Sequence, residues 1–121
     1  MKFKKANPEI SEFLDNALVS FNCEKRKMFG HPVYFVNRNM FAGVFGDDIF
    51  IRLSEADRKE ILSLNDEASL FEPLKGRVMK EYVVLPESLY IHRGDFAIWL
   101  DRAYGYVLSL PPKKVKKKKS K

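Results

Sequence analysis

Asn39-Met40-Phe41-Ala42-Gly43-Val44-Phe45-Gly46-Asp47-Asp48-Ile49-Phe50-Ile51-Arg52-Leu53 reads as two β-strands and the turn between them. Met40 to Phe45 and Ile49 to Leu53 are short runs of strand formers, and Gly46-Asp47-Asp48 separates them with residues that accept tight-turn backbone angles. In the second run Ile49, Ile51 and Leu53 alternate with Phe50 and Arg52, so one face of that strand is wholly apolar. Asp47-Asp48 taken alone suggests a carboxylate pair for acid–base work or for a cation. Directly after a glycine and between two apolar runs, it is better explained as turn chemistry.

The same period extends upstream. Met28-Phe29 and Val33 to Val36 are further strand candidates, punctuated by Gly30-His31-Pro32 and Asn37-Arg38-Asn39. Downstream, Val78 to Leu85 predicts another strand, which Pro86 stops. Asn65 to Pro73 carries no firm signal of either kind. Helical spacing flanks the sheet. Asn7-Pro8-Glu9 combines a cap, a proline at the first helical position and an acid in the first turn; Ile10, Phe13, Leu14, Ala17, Leu18 and Phe21 then form one apolar face ending near Asn22. Ser54-Glu55-Ala56-Asp57 resembles a capping box and predicts a short charged helix to about Leu64. Asp95 is the predicted cap of a last helix whose apolar face is Phe96, Trp99, Leu100, Ala103 and Val107. The expected fold is therefore α+β: an antiparallel meander of about four to five strands with N-terminal and C-terminal helices packed against it.

At 121 residues the chain has the size of one domain. Pro111-Pro112 divides it into an α+β body, residues 1–110, and a tail, residues 111–121, that has charge repulsion and no hydrophobic anchor and is expected to be disordered. The net charge of +6 sits at the ends. Lys113, Lys114, Lys116, Lys117, Lys118, Lys119 and Lys121 lie in the tail, and Lys2, Lys4 and Lys5 lie at the start. Setting those ten aside leaves twelve basic residues against sixteen acidic ones, so the body carries about −4. A nucleic-acid-binding domain carries its positive charge on the folded surface. Here the tail lysines are the candidate nucleic-acid contacts, weak and non-specific. The single cysteine excludes an internal disulfide, and no apolar run reaches the length of a signal peptide or membrane span. The expected location is cytoplasmic, without a membrane role.

Reactive side chains are scarce. His31, His92 and Cys23 lack the close spacing of a zinc half-site, and both histidines are expected in surface turns. Cys23 follows a helix instead of opening one and reads as a half-buried, inert thiol. The sequence holds neither a phosphate-binding GxxxxGK loop, a GxGxxG before a helix, a GxSxG elbow nor an HExxH pair. No catalytic residue, metal ligand or cofactor is expected. Phe29, Tyr34, Phe35, Phe41, Phe45, Phe50 and Tyr82 fall on predicted strands and invite comparison with base-stacking sheets. An acidic body repels phosphate, so these rings are expected to fill the core.

Lys27-Met28-Phe29-Gly30 opens the sheet, the strand pair quoted at the outset follows, and Phe71, Gly76, Met79, Tyr82, Val84 and Pro86 come in order before Trp99-Leu100 and Ala103 in the closing helix. This order of features, over about Ile10 to Leu108, resembles the N-terminal domain of the TfoX/Sxy family in its stand-alone form. The resemblance implies a non-catalytic regulatory or protein-interaction module linked to competence or transcription, with an unidentified protein partner. It also implies backbone freedom at Gly30, packing at Phe29 and Phe41, and a charged rim contact at Arg52. A nucleic-acid-associated protein that binds through its tail is the alternative.

Overall fold

The computed structural model describes residues 7–28 and 30–111. Six strands form one sheet in the order β1-β2-β3-β4-β6-β5, every neighbouring pair antiparallel. They are β1 (Glu24–Met28), β2 (His31–Val36), β3 (Asn39–Phe45), β4 (Asp48–Arg52), β5 (Ser69–Leu74) and β6 (Arg77–Leu85). Among the described residues four helices accompany them: α1 (Pro8–Ala17), α2 (Glu55–Leu64), α3 (Glu87–Tyr90) and α4 (Arg93–Ser109). The fold is thus α+β as expected, with one strand more than the upper expectation.

The extra strand is β5, inside the segment that gave no clear signal. Its Pro73 demotes a strand reading, because proline cannot donate to a ladder. β5 lies at the sheet edge beside β6, where that loss is tolerated. α1 ends at Ala17, earlier than its apolar spacing predicts, and Leu18 caps it. Val19-Ser20 are weak helix formers, and the chain must reverse to enter β1. Phe21 still reaches the core from beyond the helix, its ring 6.0 Å from that of Phe41. α4 begins at Arg93 with Asp95 in its first turn, so Asp95 is not the cap. Asn7 does cap α1, accepting from the backbone of Glu9 and Ile10, and Ser54 caps α2. Of the implied contacts, Gly30 has φ +81°, Phe41 is fully buried, and Arg52 pairs with Glu81 at 2.7 Å; Phe29 lies outside the described residues.

All four helices pack on one side of the sheet. Leu14, Phe41, Ile49, Ile51, Leu53, Ile61, Val83, Leu85, Leu100 and Val107 form the core of that layer. A register shift contributes to it. Tyr34 pairs with Ala42 but Phe35 pairs with Met40, so Phe41 has no partner in β2 and both Phe41 and Ala42 turn towards the helices. Asp15 ties α1 to the sheet, accepting from the Tyr34 hydroxyl and pairing with Lys25 at 2.9 Å. At the far end Arg102 joins α4 to Asp57 and Glu60 of α2, at 3.3 and 2.9 Å, over the ring of Trp99.

Candidate functional site

A second apolar cluster lies on the opposite face of the sheet: Val33, Met40, Phe50, Phe71 and Tyr82, with Phe35, Phe45, Met79 and Val84 against it. No residue of the four helices belongs to it. It is covered instead by the sheet itself. Irregular register on both sides of Phe71 lets the β5–β6 hairpin curl, and the Phe71 ring stacks on Phe50 with centroids 4.2 Å apart and planes at 11°. Phe50 is consequently 1% exposed on a face that none of the described helices covers.

Gly43 makes that arrangement fit. It sits between Val33 and Phe50 in the pairing register, and a Cβ there would meet Phe50 Cζ at 2.6 Å and Val33 Cγ1 at 2.9 Å. Only a residue without a side chain lets the ring lie flat across the strands.

Between the sheet and the curled hairpin lies a cavity of about 320 Å³, lined by Met28, Phe45, Phe50, Phe71, Leu74 and Met79 among others. That size falls in the range of small-molecule sites. His31 also lines it. The expectation of a surface histidine is wrong: His31 is the first residue of β2, paired with Met28, and only 2% exposed. Its ring stands 4.5 Å from that of Phe45. Both imidazole nitrogens are buried without a hydrogen-bond partner among the described residues, and burial holds the imidazole below its ordinary pKa. His31 is therefore neutral near pH 7. The usable signal was period-2 spacing: His31, Val33 and Phe35 alternate onto one face, but Pro32 suggested a turn.

The other reactive groups do not join it. His92 is exposed at the start of α4, and Cys23 is half-buried, with burial pushing its thiol up in pKa. Asp47 lies in the β3–β4 turn, where its carboxylate accepts from Asn7 at 3.0 Å. No group of three or more His, Cys, Asp and Glu suited to a metal ion occurs among the described residues. Of the predicted stacking rings, Tyr34 and Phe41 belong to the helix-side core, Phe50 and Tyr82 are buried on the other face, and Phe35 and Phe45 are half-buried there. The tail lysines, Lys113, Lys114, Lys116, Lys117, Lys118, Lys119 and Lys121, lie outside the described residues. No helix among the described residues is long and apolar enough to cross a membrane.

A family model described as the TfoX N-terminal domain matches residues 20–106, from the approach to β1 almost to the end of α4. No curated protein and no solved structure matches the chain.

Proposed function

The chain belongs to the TfoX N-terminal domain family, and on that footing we propose that it is a non-catalytic regulatory module that works by binding a partner protein. The observation that carries this reading is the apolar sheet face that none of the described helices covers. Beside the buried cluster, Met28 and Leu74 are each 38% exposed and both line the cavity, so apolar surface continues to its mouth. Contiguous apolar surface of this kind marks interaction sites. Regulation of competence or transcription, in the cytoplasm, is the setting the family suggests.

Co-purification from nuclease-treated native lysate tests it, with the full chain as bait. A Met28→Asp/Leu74→Asp double variant places charge on the proposed face, while Ile98→Asp places it on the 53% exposed outer side of α4. The wild type and Ile98→Asp are expected to retain the same protein, and the double variant to lose it by about tenfold or more. Equal recovery with all three baits rejects the face as the contact. Recovery that vanishes with nuclease favours a second reading, in which the tail lysines hold the protein on nucleic acid.

A further inference from the structure

We propose that protonation of His31 opens the end of the β1–β2 hairpin, which makes this edge of the sheet an acid-released flap. The proposal concerns the sheet itself and holds whether or not a partner protein docks on the open face. Burial and pairing carry it. His31 is 2% exposed, and both ring nitrogens are buried without a hydrogen-bond partner among the described residues. A neutral imidazole in that position forgoes its hydrogen bonds and little else. An imidazolium is far worse placed, because its charge and both N–H donors would stay out of water with nothing accepting from them.

The charged groups around the ring do not relieve this. On β1, Lys27 adjoins the pairing partner Met28, and Arg26 is held by Glu24 at 3.1 Å. On β3 the neighbour is the Phe45 ring. Asp47 and Asp48 follow it across the β3–β4 turn; Asp47 accepts from Asn7, and neither carboxylate bonds the imidazole. β5 brings apolar side chains to the shared cavity, and its Glu72 accepts from the Gly76 backbone. From β6 comes Arg77, whose positive charge opposes a second one. No residue of the described helices belongs to the cluster on that face. Relief must come from movement, and the edge moves most easily. β1 is exposed at every position and is joined to the sheet through β2 alone. It pairs with β2 from His31 onward, whereas the register of β2 on β3 starts at Val33, so the end of the hairpin projects past its anchoring ladder. Pro32 has no N–H to add to that anchor. Lys25, bound to Asp15 of α1 at 2.9 Å, holds the other end of β1 down. Local opening draws on elements of this kind, with few buried contacts and exposed backbone bonds.

Amide hydrogen exchange on the full chain, followed by NMR and corrected for the intrinsic effect of pH, tests the flap. Burial lowers the pKa of His31 from its ordinary 6.5, so opening is expected to grow as pH falls below that value, by at most about tenfold per pH unit for one proton. Between pH 7.5 and 5 the amides of Met28, His31 and Val33 are expected to lose protection by about tenfold. At pH 5 their exchange is expected to ignore dilute urea, as a local opening does, while that of Ile51 and Val83 accelerates with it. His31→Leu is expected to flatten the pH response of Met28 and Val33, and His92→Gln to leave it intact. Unchanged protection in the wild type overturns the proposal, as does an equal pH response in His31→Leu. Hairpin amides that accelerate in urea as steeply as Ile51 and Val83 overturn it too. Should His31→Leu fail to fold, the wild-type ring decides: imidazolium nitrogen signals from His31 with Met28 still fully protected show that the closed site takes the proton, and refute the flap.

Discussion

A missing methyl group and two unpaired nitrogens shape the open face of this protein. At Gly43 an added Cβ would lie 2.6 Å from Phe50, and Phe50 cannot retreat because Phe71 is stacked on its other side. Gly43→Ala should therefore destabilise the fold by about 1–3 kcal/mol, the usual cost of overpacking, as read by urea denaturation. His31 acts through protonation. Its pKa is lowered in the folded state, so the unfolded chain binds the proton more readily. The stability that follows is complete above the ordinary value of 6.5 and falls as pH drops below it, until the folded-state pKa is passed. The slope reaches at most about 1.4 kcal/mol per pH unit for one proton. Denaturant midpoints between pH 7.5 and 5 should show this loss in the wild type and a flatter profile in His31→Leu. Asp15 is separable. Burial alone would raise its carboxyl, but hydrogen bonds from Tyr34 and Lys25 outweigh that and lower it below 3.8. Its contribution is lost only as the solution becomes more acidic than that.

Among the elements, the β2–β3 hairpin holds the clearest stored cost. Asn37 and Arg38 both have positive φ, 51° and 68°. Asparagine tolerates this region, whereas arginine, with its long side chain and Cβ, does so at a penalty. Arg38→Gly should raise stability by about 0.5–1 kcal/mol, despite the greater freedom it gives the unfolded chain, and thermal melting will register the gain. The edge strands show a different economy. β1 is exposed along its whole length and carries Glu24, Lys25, Arg26 and Lys27, while β5 carries Pro73. Charge and proline at the edges discourage another chain from extending the sheet. A partner is then expected on the face, not the edge.

At the scale of the molecule, the described residues build a single sheet with two unlike sides, and the chain's charge is unevenly distributed. Four helices cover one side, and a curl of the sheet covers part of the other. The body between the termini has about −4 while the ends hold ten lysines, so any affinity for nucleic acid should reside in the tail. Neutralising roughly four to six phosphates gives a log–log salt slope of about −4 to −5 on duplex DNA. Deleting the residues after Pro112 should abolish such binding with almost no change in melting temperature. Fluorescence anisotropy across a salt series measures both the slope and its loss. A truncated body that still binds, with a preference for single strands, would transfer the role to Phe35 and Phe45 on the open face.

Much of this architecture was legible from local pattern. The caps at Asn7 and Ser54, the turn at Gly46, the alternation from Ile49 to Leu53 and the face of α4 from Phe96 to Val107 depend on neighbours within a few positions. Those signals establish an α+β domain with helices around an antiparallel sheet and place its acidic body and basic ends. What lies opposite each face is not local. The curl that sets Phe71 on Phe50 arises from register shifts between β5 and β6, and His31 shares its cavity with residues that come as much as 48 positions later. Sequence spacing places His31 on a face; only closure of the hairpin over that face makes it an unpaired polar group in an apolar cavity, because burial depends on what the rest of the chain brings against a residue.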